Sequence, residues 1–355
     1  MTAGAVAPAA GQCPACSGPV SAGDSFCEVC GAELAPVMVS DGSDPGARSC
    51  PFCITSAITP DGYCESCGHK LPAGRDHVEI GLGLLAGVTD RGIRHHRNED
   101  AMALAAAGTE AGPAVVAVVC DGVSSSARPD EASLAAVRAS AQVLAGAVKA
   151  GGDLQEASAA AARAAADAVA ALAGPAADPP AATYVSAVVT GDAAIVCWLG
   201  DSRAYWLADG PGAGSQQLTT DDSVARELIA AGMPEAEALA SAQAHVVTRW
   251  LGADLAGAEP HVLRFEPPGR GVLLLCSDGL WNYQPDAAGL AARALPAALT
   301  DPLGTARALA TFAVDSGGAD NVTAVLIPFP LAPPAPPDGG GAPQPPDPAE
   351  EKPSP

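Results

Sequence analysis

The sequence predicts an α+β fold with sheets and helices in separate layers, preceded by a small metal-stapled module. Two observations predict the layering. Short apolar, β-branched runs cluster before and after two long Ala-rich helical patterns, and those two patterns stand side by side rather than alternating with strands. A third observation, eight of eleven cysteines crowded into the first 70 residues, predicts the module. The chain has 355 residues, 48 % of them apolar, enough to bury a core of conventional size. With 18 Lys and Arg against 40 Asp and Glu, its net charge is −22. That field opposes the phosphate contacts on which nucleic-acid affinity rests, so no nucleic acid is expected as a main partner. No membrane span is expected either, because the longest Ala-rich segment, 154–173, carries Glu156, Arg163 and Asp167. Residues 1–12 have neither a basic leader nor a long apolar region, and a reducing, cytoplasmic location is the expectation.

The cysteines form an internal repeat. Cys13, Cys16, Cys27 and Cys30 recur 37 positions later as Cys50, Cys53, Cys64 and Cys67. A CxxC turn aims two thiolates at one point about 2.3 Å from a tetrahedral zinc ion, and a second CxxC completes the site. Each repeat can therefore close one four-cysteine site with no open position, which would hold a fold rather than do chemistry. The alternatives are a disulfide framework, which a chain without a secretory signal opposes, and redox CxxC motifs, which four identical spacings oppose. The spacing resembles a tandem zinc ribbon, with ribbon 1 over 11–34, a linker over 35–49 and ribbon 2 over 50–72. Cys120, Cys197 and Cys276 stand alone in apolar runs and read as small buried hydrophobes.

Downstream, strands are expected at 115–120, 184–190, 194–199, 203–207, 272–276 and 322–327. Helices are expected at 131–149, stopped by Gly151-Gly152, and at 154–173, opened by Asp153 as N-cap with Glu156 completing a capping box. Two more are expected at 222–231, closed by Gly232, and at 302–315, started by Asp301-Pro302. Residues 329–355 are dominated by Pro, Gly and acid and are read as a disordered tail.

Three of these strands run into an aspartate: Asp121, Asp201 and Asp278. A fourth, Asp320, immediately precedes the strand at 322–327. One such residue is an ordinary turn former. Four meeting at one rim would repel one another unless cations sat among them, and hard oxygen ligands suit Mg²⁺ or Mn²⁺.

The order of motifs then becomes specific. Thr89-Asp90-Arg91-Gly92 with Arg97-Asn98-Glu99-Asp100, Asp121-Gly122, Gly200-Asp201-Ser202-Arg203, Leu218 to Ser223, Thr248-Arg249 with Leu251-Gly252, Ser277-Asp278-Gly279 and Asp320-Asn321 follow in sequence. Together they resemble the metal-dependent type 2C serine/threonine protein phosphatases over 80–328. The resemblance implies an α-β-β-α sandwich of two antiparallel sheets flanked by helices, and hydrolysis of phosphoserine and phosphothreonine by a water between two divalent ions. It implies that Asp121 bridges both ions, that Glu99 and the Gly122 carbonyl hold one and that Asp278 and Asp320 hold the other. Asp100 orients the attacking water, and Asp201 with Asp278 serves a third, weaker site. Phosphorylated proteins are the implied substrates, an autophosphorylated Ser/Thr kinase among them, and the ribbons would recruit a partner or position substrate.

Three departures stand out. His95 takes the place of a phosphate-binding Arg, leaving Arg94, Arg97 or protonated His95 to bind substrate phosphate. Val123-Ser124-Ser125-Ser126 replaces a glycine pair, and Asp222 stands where the motif has His. A competing reading is a catalytically inactive scaffold, which the retention of Glu99, Asp121, Asp278 and Asp320 opposes. Because a module this small draws on the order of 10 kcal/mol of folding free energy from each zinc, a chelator should release two zinc ions per chain and unfold the amino-terminal region. A zinc assay finding fewer than one per chain would refute the ribbon reading.

Overall fold

The computed structural model describes residues 11–12, 19–20, 37–42, 65–66, 74–109, 112–174, 178–191, 193–210, 214–255 and 257–331. The two four-cysteine sites and the chain beyond residue 331 lie outside the described residues. Gly11–Gln12 pairs with Pro19–Val20 across the first CxxC. The strands used below are β1 (Met38–Val39), β2 (His77–Gly81), β3 (Ala86–Asp90), β4 (Asp100–Thr109), β5 (Gly112–Asp121), β6 (Tyr184–Thr190), β7 (Ala193–Leu199), β8 (Arg203–Ala208), β9 (His261–Phe265), β10 (Gly271–Cys276) and β11 (Val322–Phe329). The helices are α1 (Pro129–Ala150), α2 (Leu154–Ala170), α3 (Val224–Ala230), α4 (Glu235–Leu239), α5 (Asp278–Trp281), α6 (Ala287–Ala294) and α7 (Pro302–Asp315).

The continuous apolar runs are strands covered on both faces. In β5, Val116, Val118 and Cys120 face α1 and α2, while Val115, Ala117 and Val119 face the opposite sheet. In β10, Val272, Leu274 and Cys276 face α6 and α7, and Leu273 and Leu275 face inward. A period of two with apolar side chains at every position is what a strand between two layers requires. One sheet has the order β9-β7-β6-β5-β4-β1, and the other runs Gln216–Gln217, β8, β10, β11, β3, β2, with every pairing antiparallel. The α-β-β-α layering therefore holds. The lone cysteines Cys120, Cys197 and Cys276 are free and buried in these layers.

Some elements extend past their expected bounds and others fall short of them. Asp153 does cap α2, its carboxylate accepting from the Gln155 and Glu156 amides at 2.8 and 3.1 Å. That helix ends at Ala170, short of 173, and α3 spans 224–230, inside the expected 222–231. Strand β11 runs on to Phe329, and Leu331 packs against the inter-sheet core, so order continues beyond the expected start of the tail at 329. At the other end, Met38–Val39, expected within a linker, adds an edge strand to β4 in the register Met38↔Leu104 and Val39↔Ala103. Among the described residues no helix is long and apolar enough to cross a membrane.

Register decides where the aspartates go. Asp100 pairs with Asp121 across β4 and β5, Asp90 with Val322 across β3 and β11, and Arg203 with Cys276 across β8 and β10. The start of β4, the end of β5, the end of β10 and the start of β11 therefore lie at one end of the sandwich. The Gly200 to Ser202 connection crosses from one sheet to the other at that same end.

Helix α1 is pinned to this frame by Tyr184, whose hydroxyl lies 2.7 Å from Ser140 Oγ and donates to Ser186 Oγ at 2.9 Å, all three residues fully buried. Tyr184→Phe should strand two buried serine hydroxyls at a cost of about 1–2 kcal/mol, lowering the melting temperature by roughly 3–6 °C. An unchanged thermal transition would show that the network contributes nothing to stability.

Candidate metal centre

The rim gathers Glu99, Asp100, Asp121, Asp201, Asp278 and Asp320. Glu99, Asp100 and Asp201 are buried, while Asp121, Asp278 and Asp320 are half-buried at the mouth. The Asp121 and Asp278 carboxyl groups are neighbours that act directly on one another. Burial, then repulsion from Asp100, Asp278, Asp320 and Asp201, holds the Asp121 carboxyl well above the usual carboxylate range. Burial also pushes Asp278 up to about 6, with Asp320 adding to it and the neighbouring Asp121 and the hydrogen bond from the Asn282 amide pulling back. Asp100 rises to about 7 through burial, against hydrogen bonds from Ser277 and Thr323. Asp201 and Asp320 are raised as well, burial first in each case.

The donor set fits hard divalent cations on two counts. All the donors are oxygens, and Asp278 Oδ1 and Asp100 Oδ1 are buried with no hydrogen-bond partner. The carboxylates are neighbours rather than a closed coordination shell: among the described residues no group of three or more His, Cys, Asp or Glu is arranged to hold an ion as it stands.

Each side chain is held from behind. Asp100 Oδ2 accepts from Ser277 Oγ and Thr323 Oγ1, both at 2.7 Å. Asn321 accepts the Glu99 amide at 2.7 Å and donates to the carbonyls of Arg91 and Arg97 at 2.7 and 3.1 Å, joining the 91–97 loop to β11. Gly92 has φ +69°, and a Cβ there would lie 2.2 Å from the Asp320 carbonyl oxygen, so the tight approach of these two loops requires glycine. Gly122 packs as closely on α1, where a Cβ would meet the Pro129 carbonyl at 2.4 Å. Asn321, Ser277 and Thr323 were visible in the sequence only as motif neighbours; their bracing role depends on register.

The basic residues expected to bind phosphate divide. His95 Nε2 lies 3.1 Å from Asp320 Oδ1 and Nδ1 lies 3.8 Å from Glu99 Oε2, so the imidazole sits among the carboxylates. Arg97 pairs with Glu99 at 3.1 Å and Asp130 at 3.3 Å. Arg94 is exposed, and its guanidinium has no ion pair or hydrogen bond among the described residues. Ser124, one of the serines replacing glycine, donates to Glu99 Oε2 at 2.6 Å.

Asp222 proves to be a junction. It accepts the Gly200 amide at 3.0 Å and meets His261 Nε2 at 2.9 Å and Arg249 Nη1 at 3.5 Å, while His261 stacks on Trp198. Beside it, Arg203 forms a two-point pair with Asp221 at 2.9 and 2.6 Å and lies 3.6 Å over Trp281, whose indole donates to the Asp201 carbonyl at 2.9 Å. The loop bearing Asp201 is thereby fixed to the helix bearing Asp278.

Comparison with known proteins agrees with this geometry. The serine/threonine phosphatase stp of Listeria welshimeri is 29 % identical over 154 residues, covering 41 % of this chain and 55 % of that protein. The chain thus spans about half the length of the curated relatives it matches. The crystal structure of the Mycobacterium tuberculosis serine/threonine phosphatase PstP/Ppp is 28 % identical, with 68 % of this chain and 96 % of that one covered at a TM-score of 0.55. The PstP catalytic domain in complex with two manganese ions matches with the same identity and coverage at a TM-score of 0.54. Residues 91–303 match the profile of the family described as Protein phosphatase 2C. With more than half of its length fitting that profile, the chain belongs to the protein phosphatase 2C family.

Proposed function

We propose that this chain is a Mn²⁺- or Mg²⁺-dependent phosphatase that hydrolyses phosphoserine and phosphothreonine on proteins. The observation that carries the reading is the meeting of Asp121 and Asp278, with Asp201 and Asp320 close enough to raise the Asp121 carboxyl further, from positions far apart in the sequence. Folding such anions together is unfavourable unless a cation joins them. In this reading Glu99, Asp121 and the Gly122 carbonyl hold one ion, Asp121, Asp278 and Asp320 hold the other, and Asp201 with Asp278 serves a weaker third. Divalent ions bound there would supply a water acidic enough to ionise at neutral pH and positive charge for the phosphoryl oxygens.

The chain's own residues do the rest. Asp100 keeps Oδ2 fixed by Ser277 and Thr323, leaving Oδ1 to accept a proton from the attacking water. Arg94, exposed beside the rim and unpaired among the described residues, is the cation freest to meet substrate phosphate, whereas His95 and Arg97 are engaged with Asp320, Glu99 and Asp130. The presence of every ligand carboxylate weighs against the inactive scaffold. We also propose that Cys13, Cys16, Cys27, Cys30 and Cys50, Cys53, Cys64, Cys67 bind two structural Zn²⁺ ions, and that these ribbons recruit a partner or a phosphorylated substrate such as an autophosphorylated kinase.

Asp278→Ala should reduce Mn²⁺-dependent phosphate release from a phosphothreonine peptide by more than about 100-fold, the upper figure for changes one shell further out; retention of a tenth of the activity would remove Asp278 from the centre. For Arg94→Ala, loss of one charge-assisted contact should raise KM for the peptide about tenfold with kcat nearly unchanged. Equal falls in kcat and kcat/KM at constant KM would assign phosphate binding elsewhere.

A further inference from the structure

Residues 38–42, between the two cysteine repeats, are built into the catalytic fold. After β1, the Ser40 amide donates to the Met102 carbonyl at 3.0 Å and Ser40 Oγ accepts the Met102 amide at 2.9 Å, with Ser40 fully buried. Asp41 then pairs with Arg138 of α1 at 2.5 Å. Gly42 turns with φ +72° directly against the turn Gly74–Asp76, where a Cβ on Gly42 would lie 2.6 Å from the Gly74 carbonyl carbon. Residues 42 and 74, which flank the second repeat in sequence, are therefore in contact.

The next residue, Arg75, runs under the rim. Its Nη2 donates to the Asp100 carbonyl at 2.9 Å and its Nη1 to the Asp130 carbonyl at 2.7 Å, while its own carbonyl accepts from Asn98 Nδ2 at 3.0 Å. Asp100 starts β4 inside the carboxylate cluster, and Asp130 lies in the first turn of α1, against which Gly122 packs. One planar guanidinium thus spans the backbone of β4 and of α1, a task for which its rigid fork suits it. Residues 38–42 and Arg75 all lie outside the 91–303 segment shared with the family profile.

We infer that Arg75 is a positioning residue for the phosphatase centre, holding the Asp100 backbone in place, and that the docked segment from Met38 to Gly42 holds Arg75. The inference rests on the metal-dependent reading above. It acts through geometry, so it affects metal uptake and turnover rather than substrate affinity.

The test uses the full chain as wild type, Arg75→Ala, Arg75→Lys and Gly42→Ala. Thermal melts, calorimetric Mn²⁺ titration, and kcat and KM on a phosphothreonine peptide are measured for each. Arg75→Ala should weaken Mn²⁺ binding and lower kcat by about tenfold each, as loss of an outer partner does, with KM unchanged. Arg75→Lys, whose single ammonium cannot bridge both carbonyls in one plane, should recover only part, and Gly42→Ala should shift both quantities in the same direction as Arg75→Ala. A folded Arg75→Ala with wild-type Mn²⁺ affinity and kcat overturns the inference; if that variant does not fold, wild-type values for Gly42→Ala overturn it. Should the wild type bind Mn²⁺ but release no phosphate, the catalytic reading fails, and the calorimetric comparison still judges Arg75.

Discussion

Buried carboxylates that face one another at the end of a sandwich impose the constraint to which the surrounding structure answers. Burial, and then the charge of neighbouring carboxylates, raises the proton affinities of Asp121, Asp278, Asp201 and Asp320, and their repulsion would splay the strand ends apart if nothing opposed it. The opposition comes from neutral hydrogen bonds placed behind the acids. Asn321 ties the loop before Glu99 to β11, Ser277 and Thr323 hold Asp100, and Trp281 ties the Asp201 carbonyl to the helix that carries Asp278. Basic side chains are few: among the described residues His95 and Arg97 reach the cluster directly, and Arg203 lies one layer out, paired with Asp221. A frame braced by neutral donors leaves the cluster's net charge available to cations.

The departures from family pattern become coherent once placed. Ser124 gives Glu99 a hydroxyl donor that a glycine lacks. Asp222, in a position where the motif carries histidine, meets a histidine supplied by β9 instead, so an Asp–His contact forms between the loop before α3 and a strand. Arg249 joins the same contact from the far end of the excursion that contains α3 and α4. The base of that excursion is closed by charge and by the Thr248 amide bonding to the Asp222 carbonyl.

Legibility in the sequence followed burial. Strands β5, β6, β7, β8, β10 and β11 were readable because apolar residues, β-branched in most of them and aromatic in β8, fill their faces, and the aspartates beside them were readable as breaks in those runs. Strand β4 was not, since its DAMALAAAGT sequence is alanine-rich and carries the helix-former signature, and only the close packing of its neighbours makes small side chains suitable there. The two residues of β1 are too few for any periodicity, and their pairing depends on an edge that exists only after β4 has formed. The carboxylates were named from motif and strand ends alike. Arg75 lay outside every motif because it acts on main-chain carbonyls, which have no residue identity for a sequence pattern to match.

The meeting of Gly42 with Gly74 has a topological consequence. A loop whose two ends touch can be lengthened, shortened or exchanged while the rest of the polypeptide keeps its course. The second cysteine repeat lies in sequence between the two sides of that contact, so a change in its length asks for no rethreading of either sheet.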